Sequence, residues 1–140
     1  MKELLLDANV LVRFLTQDDE KQGAAATALF ESAERREIVL HLEALTLAET
    51  VYVLIGRYGH PRRVVVNTLL AVIENVGVQT SECGIVSDAL QRFGATNVDF
   101  ADAWLAARAA HCGFQVASFD RDLDKFKDIQ RIDPKEFCKV

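Results

Sequence analysis

Cysteine and proline are scarce in this sequence, and long apolar runs are absent from it. The three cysteines, Cys83, Cys112 and Cys138, are dispersed without a CxxC pair, which argues against both a disulfide framework and a zinc site. We therefore expect reduced cysteines with a structural role. The longest apolar runs have five residues, whereas a membrane-spanning helix needs about 20. The sequence thus predicts a protein that does not enter the membrane.

The amino-terminal apolar stretch is equally short. It consists of Leu4, Leu5 and Leu6, and Asp7 follows directly. A secretory signal needs a longer apolar core than this. Together with the unpaired cysteines, the stretch predicts a cytoplasmic protein.

The net charge of −5 seems unfavourable for a protein that binds nucleic acid. The distribution of charge matters more than its sum, because six of the 21 acids are candidates for one site. Without them, 15 acids remain against 16 lysines and arginines, so the rest of the chain is nearly neutral. Acidity therefore does not exclude a phosphate-bearing substrate. The six acids are Asp7, Glu49, Asp99, Asp102, Asp120 and Asp122.

Short β-like segments alternate with longer helical patterns, which predicts one α/β domain over residues 1–140. Strands are expected over Glu3–Leu6, Ile38–Leu42, Val76–Thr80, Phe114–Phe119 and Asp128–Ile132. Helices are expected from Asp18 or Asp19 to about Arg36, and over Leu45–Tyr58, Pro61–Asn75, Ser81–Phe93 and Asn97–Cys112, with Gly94 and Gly113 ending the last two. Acids that follow strands lie where open parallel sheets bind their ligands.

Four acids stand among apolar neighbours, where a charge is rarely buried unless it is paired or bound to a metal. They are Asp7, Glu49, Asp102 and Asp120. Each also has a structural interpretation. Asp7 and Asp120 could cap a helix or a turn, Glu49 could pair with a buried arginine, and Asp99 with Asp102 could favour a helix amino terminus, with Asp99 as the cap.

One shared cation would explain all four acids at once. Carboxylate oxygens suit Mg²⁺ or Mn²⁺, whereas zinc prefers histidine or cysteine, and His41, His60 and His111 show no ligand spacing. Phosphodiester hydrolysis is the reaction that such a site serves best. Asn9 and Ser118 are candidates for positioning water or a phosphate oxygen. Bases near the site would neutralise the substrate backbone, the candidates being Arg13, Arg57, Arg108, Arg121 and Lys125.

These segments resemble the four acidic motifs of the PIN-domain ribonucleases, in the same order along the chain. The segments are Leu5–Leu11, Leu47–Val51, Asp99–Ala107 and Ser118–Asp122. The resemblance implies a three-layer α/β/α sandwich with a central, mainly parallel sheet, Mg²⁺ or Mn²⁺ in the site, and cleavage of single-stranded RNA. It also implies that Asp7, Glu49, Asp102 and Asp120 are the core catalytic and metal-binding acids, with Asp99 and Asp122 as additions.

Small single-domain members of this length resemble the VapC-type toxins of toxin–antitoxin pairs, which implies a small antitoxin partner and a homodimer. An RNA-processing nuclease without an antitoxin is the alternative within the family. A dehalogenase-like phosphatase would need a second aspartate where this chain has Asn9. A non-catalytic binding module is disfavoured because all four acids are intact. An endonuclease assay with and without EDTA separates these possibilities.

Overall fold

The structure is a computed structural model that describes residues 1–138. The chain divides into two compact units, one covering Met1–Cys83 and the other beginning at Gly84. We describe each unit by itself. No helix in the described residues combines the length and the apolar content needed to cross a membrane.

The first unit contains a three-stranded parallel sheet and four helices. Its strands are β1 (Lys2–Leu5), β2 (Ile38–Leu42) and β3 (Val78–Thr80), in the order β1-β2-β3. Its helices are α1 (Ala8–Thr16), α2 (Glu20–Glu34), α3 (Ala44–Gly56) and α4 (Arg62–Ile73). Leu4 lies opposite Leu40, and Leu40 lies opposite Val78. The α/β class and the parallel sheet are therefore confirmed.

Helices α1 and α2 begin at aspartates that cap them. The side chain of Asp7 accepts a hydrogen bond from the backbone N–H of Asn9, and Asp19 does the same for Gln22. Such caps satisfy backbone donors that have no partner inside the helix. The two helices pack through Phe14 and Phe30, whose rings stack at 3.9 Å. The core of this unit is aliphatic and includes Leu11, Leu40, Leu47, Leu54 and Leu69.

Gly77 marks the closest approach between the start of β3 and the end of α2. A Cβ atom added there would lie 2.4 Å from the backbone carbonyl carbon and oxygen of Ala33. The Gly77 N–H donates to the side chain of Asn75, and its carbonyl accepts from the N–H of Leu40. Only a residue without a side chain fits between these backbones.

The second unit contains helices α5 (Cys83–Ala95) and α6 (Phe100–Cys112), and the short parallel strands β4 (Val116–Ala117) and β5 (Arg131–Ile132). Two 3₁₀ helices complete it, Arg121–Lys125 and Pro134–Phe137. Phe93 of α5 meets Phe100 of α6 edge to face at 5.7 Å. Gly113 ends α6 with a φ of 71°, as predicted for a carboxyl-terminal glycine.

Four expectations were wrong. Helix α1 was not among the expected helices, although Asp7 had been considered as a helix cap. Gly94 lies inside α5, which continues to Ala95 because the hydroxyl of Thr96 donates to the carbonyl of Arg92. The strand expected over Phe114–Phe119 is reduced to two residues. The three cysteines are exposed and free, so they have no role in the core.

Candidate metal centre

Asp7 and Glu49 lie in the first unit and share one cleft. The cleft has a volume of about 190 Å³ and is lined by Asp7, Ala8, Asn9, Val12, Glu49 and Val53. Asp7 is placed by the end of β1 and the start of α1, and Glu49 by the middle of α3. Helices α1 and α3 pack against each other, which explains how residues 42 positions apart line the same cleft.

Both side chains in this cleft are exposed rather than buried. The expectation of burial from apolar neighbours was therefore wrong for Asp7 and Glu49. The neighbours are apolar because adjacent positions on α1 and α3 face the core, as Leu11 and Leu47 do. Asp7 is a helix cap, which was its structural alternative. Glu49 forms no ion pair within residues 1–138, so pairing with a buried arginine does not explain it.

The second unit brings three aspartates together. Oxygen atoms of Asp102, Asp120 and Asp122 all lie within 4.8 Å of one another. Asp102 is in the first turn of α6, and Asp120 and Asp122 begin the 3₁₀ helix that follows β4. We call these three residues the aspartate cluster.

Asp102 and Asp122 are half-buried, and Asp120 is exposed. Burial is the main influence on the pKa of Asp102. It raises the pKa of the Asp102 carboxyl group, and the charges of Asp120 and Asp99 raise that pKa further. A raised pKa means that the charged form is disfavoured in the absence of a counter-charge. Within the described chain, no lysine or arginine pairs with Asp102 or Asp120, whereas Lys125 contacts Asp122 at 3.3 Å.

Hydrogen bonds hold the segment that carries Asp120 and Asp122. The side chain of Asp120 accepts from the backbone N–H of Asp122, and the hydroxyl of Ser118 accepts from the N–H of Asp120. Arg131 donates both to the carboxylate of Asp124 and to the carbonyl of Ser118. These contacts fix the segment at both ends, so its two acids have a defined position. Asp120 therefore caps the turn, as its structural interpretation predicted, and also belongs to the aspartate cluster.

The donor set fits a hard divalent cation. All three groups are carboxylates, the ligands that Mg²⁺ and Mn²⁺ prefer, and no histidine belongs to the cluster. His41 and His111 instead contact Glu3 and Asp88. A cation at this position would offset the repulsion that raises the pKa of Asp102.

The other candidate residues are distributed between the two units. Asn9 is exposed at the cleft of Asp7 and Glu49, and Ser118 supports the aspartate cluster. Asp99 begins α6 without making a side-chain capping bond, although it contributes to the pKa shift of Asp102. The prediction that all four core acids serve one metal site stays a prediction.

The candidate bases differ in whether their side chains are already held by other residues. Arg13 is held by Asp18, Gln22 and Tyr58, and Lys125 is held by Asn97 and Asp122. Arg57 and Arg121 are exposed.

Asp122 was predicted only as an addition to the four core acids. The structure places it in the aspartate cluster, while Asp7 and Glu49 belong to the other compact unit. The signal that could have raised its rank is its spacing. A residue two positions after a capping aspartate lies in the first turn of the helix and can present its side chain beside the cap.

Comparison with known protein families gives one match. The family model described as PIN domain matches residues 4–129 of the chain, which is most of its length. This range includes all six acids considered above. No curated protein matches the chain.

Proposed function

The chain belongs to the PIN-domain family, and on that premise we propose that it is a Mg²⁺- or Mn²⁺-dependent endoribonuclease acting on single-stranded RNA. Members of this family are generally nucleases that use divalent metals. The observation that carries the proposal is the aspartate cluster, whose oxygens lie within 4.8 Å of one another. Asp102 and Asp120 have no basic partner in the described chain, so a cation is the missing counter-charge.

The proposal assigns the metal to Asp102, Asp120 and Asp122. When bound, such a cation would supply positive charge against a phosphate group and lower the pKa of a water molecule. Ser118 positions the backbone of Asp120, and Arg131 fixes the segment from the other side. Asp99 contributes negative charge close to Asp102.

Asp7 and Glu49 are proposed as the remaining acids of the reaction. Their shared cleft and their exposure support this role, because both carboxylates are open to a ligand. The amide of Asn9, on the rim of the same cleft, can donate a hydrogen bond to a phosphate oxygen or accept one from water. Asp7 keeps its capping bond to the backbone through one oxygen, which leaves the other available.

We further propose that the enzyme is the toxin of a toxin–antitoxin pair, that it forms a homodimer, and that it acts in the cytoplasm. These points rest on the resemblance of the four acidic motifs. A general carboxylate site would endanger the cell that makes it, so control by a small antitoxin protein is expected. An arginine of that partner, placed between the carboxylates of the site, would replace the positive charge of the metal.

The test of the enzymatic proposal is cleavage of a labelled single-stranded RNA. We expect internal cleavage with Mg²⁺ or Mn²⁺ and none with excess EDTA. Cleavage that persists in EDTA would contradict the metal dependence. Cleavage of DNA alone would contradict the choice of RNA, although the family assignment would stand.

The toxin proposal has its own test in growing cells. Expression of the parent chain alone should slow growth, while Asp102→Asn should be harmless at the same protein level. Co-purification with a small protein encoded beside this gene would identify the antitoxin. If the parent is harmless and no such protein exists, the alternative of an RNA-processing nuclease without an antitoxin is favoured.

A further inference from the structure

A long part of the first unit contains no acid. Between Glu49 and Glu74, residues 50–73 carry three arginines and neither aspartate nor glutamate, in a protein whose net charge is −5. The arginines are Arg57, Arg62 and Arg63. They lie close together in sequence, at the end of α3 and the start of α4. Positive charge is thus concentrated on the helix that carries Glu49 and on its successor.

Two of these arginines do not serve the fold. Arg57 and Arg63 are exposed, and in the described residues neither forms an ion pair or a hydrogen bond through its side chain. Arg63 lies in the first turn of α4, which contains no acid. A cation at the amino end of a helix is repelled by the partial positive charge there. The position of Arg63 therefore costs some stability, which indicates a role outside the fold.

Aromatic side chains accompany the arginines. Tyr52 is 80% exposed, although tyrosine is ordinarily at least half covered by its neighbours. It follows Glu49 by three residues, so both side chains lie on one face of α3. The rings of Tyr58 and His60, in the connection from α3 to α4, have centroids 6.0 Å apart. We define the α3–α4 surface as Tyr52, Arg57, His60 and Arg63.

We propose that the α3–α4 surface binds single-stranded RNA next to the cleft of Asp7 and Glu49, an inference that rests on the proposed function. Exposed arginines contact phosphates without reading sequence, and an exposed ring stacks on any base. Arg57 lies eight residues beyond Glu49, which is about 12 Å along the axis of α3. A strand that leaves the cleft along α3 would therefore meet Tyr52 first and the arginines next.

Two other occupants fit the surface less well. A second copy of the chain would bring the same arginines together across a two-fold axis, where like charges repel. An acidic protein would pair with Arg57 and Arg63, but its binding would not explain why an exposed Tyr52 lies beside Glu49. RNA uses both the charges and the ring.

The first experiment measures binding of a fluorescent single-stranded RNA by anisotropy, with EDTA present to prevent cleavage. The variant is Arg57→Gln with Arg63→Gln. The control is Lys2→Gln with Arg36→Gln, which removes the same charge at the amino ends of β1 and β2. Each lost phosphate contact should reduce the slope of log affinity against log salt by about 0.7. We expect a reduction of about 1.4 in the variant and an unchanged slope in the control.

The second experiment compares Tyr52→Ala with Tyr52→Phe in the same assay. Stacking of one base contributes about 1–3 kcal/mol, so the alanine variant should bind RNA about fivefold more weakly or worse. The phenylalanine variant keeps the ring and should bind like the parent. Equal RNA affinity of the alanine and phenylalanine variants would contradict base stacking on Tyr52.

The outcomes separate this inference from the proposed function. Suppose that the parent cleaves RNA with metal but binds RNA no more tightly than the arginine variant, or does not bind RNA in EDTA. The α3–α4 surface is then not the RNA-binding surface, while the proposed nuclease activity stands. If the parent binds through the surface but cleaves nothing with any divalent metal, the proposed function fails. A Tyr52→Ala variant that changes the oligomeric state and not the RNA affinity would show an interface between copies instead, which overturns the inference.

Discussion

Asp18 in the first unit and Asp102 in the second have pKa values that are shifted in opposite directions. In the first unit, Asp18 accepts hydrogen bonds from Arg13 and Thr16 and from the hydroxyl of Tyr58. The Tyr58 and Arg13 bonds lower the pKa of the Asp18 carboxyl group. In the second unit, Asp102 is surrounded by burial and by other carboxylates, and its pKa is raised.

The comparison separates an acid that is paired within the fold from acids that lack a counter-charge in the described residues. Asp18 already has its counter-charge, so its contacts connect α1 to the end of α3 in the protein as it stands. Asp102 and Asp120 lack one in the described chain, so their ionised forms repel each other. The same amino acid therefore has a structural role at Asp18, and the proposed chemical role at Asp102.

The largest expected effect comes from substitution of the cluster. Asp102→Asn keeps the shape of the side chain but removes a metal ligand, and several kcal/mol of transition-state stabilisation correspond to roughly a hundredfold or more in rate. We expect at least that loss in RNA cleavage, with a melting temperature without metal equal to or above the parent's. Asp18→Asn is the control and should cleave like the parent. A cluster variant that unfolds would instead show that Asp102 is a structural partner.

Metal binding should have the next largest effect. A ligand that binds only the folded state stabilises it by about 2.7 kcal/mol at a hundred times its dissociation constant. For a chain of this length, that corresponds to a rise of roughly several degrees in melting temperature. Calorimetry with Mn²⁺ or Mg²⁺ should show this rise in the parent and in Asp18→Asn. Asp120→Asn should show less, and an equal rise in all three proteins would contradict the cluster as the binding site.

The smallest effect concerns Asp18 and pH. Because its folded pKa is lowered, Asp18 contributes stability that is fully present above its unfolded pKa of about 3.9 and is lost as the pH falls through the folded value. The difference in melting temperature between the parent and Asp18→Asn should therefore be constant above about pH 5 and should shrink below pH 4. A difference that grows with acidity would refute the assigned pairing.

Much of the fold was predictable because local patterns agreed with it. The β-like segment Ile38–Leu42 predicted β2 with its observed bounds, and Gly113 predicted the end of α6. The strand after α6 was overestimated because Phe114 and Phe119 are apolar but exposed, and only Val116 and Ala117 pair with β5. Apolar character alone therefore predicted neither burial nor strand pairing, which depends on a partner strand 15 residues further along the chain.

The candidate site was predictable in its residue types but not in its grouping. Apolar neighbours identified Asp7 and Glu49 for the wrong reason, because those neighbours face the core while both acids face solvent. The grouping of Asp102 with Asp122 depends on how α6 meets the 3₁₀ helix. Arg57 was named as a candidate base, but the α3–α4 surface was not predicted, because only the structure shows that Arg57 and Arg63 have no side-chain partner within residues 1–138.

The tight contact at Gly77 has a consequence for mutational scanning. Even alanine would place an atom 2.4 Å from the backbone of Ala33, so every substitution at position 77 should push β3 away from α2. If the chain inhibits growth as proposed, a survival screen would group substitutions at position 77 with those of the acids, because both would abolish the growth inhibition. Protein abundance distinguishes them, because loss at Gly77 should deplete the protein while loss at Asp102 should leave its level intact. A screen that records survival without abundance would therefore count a glycine required for packing among the candidate catalytic residues.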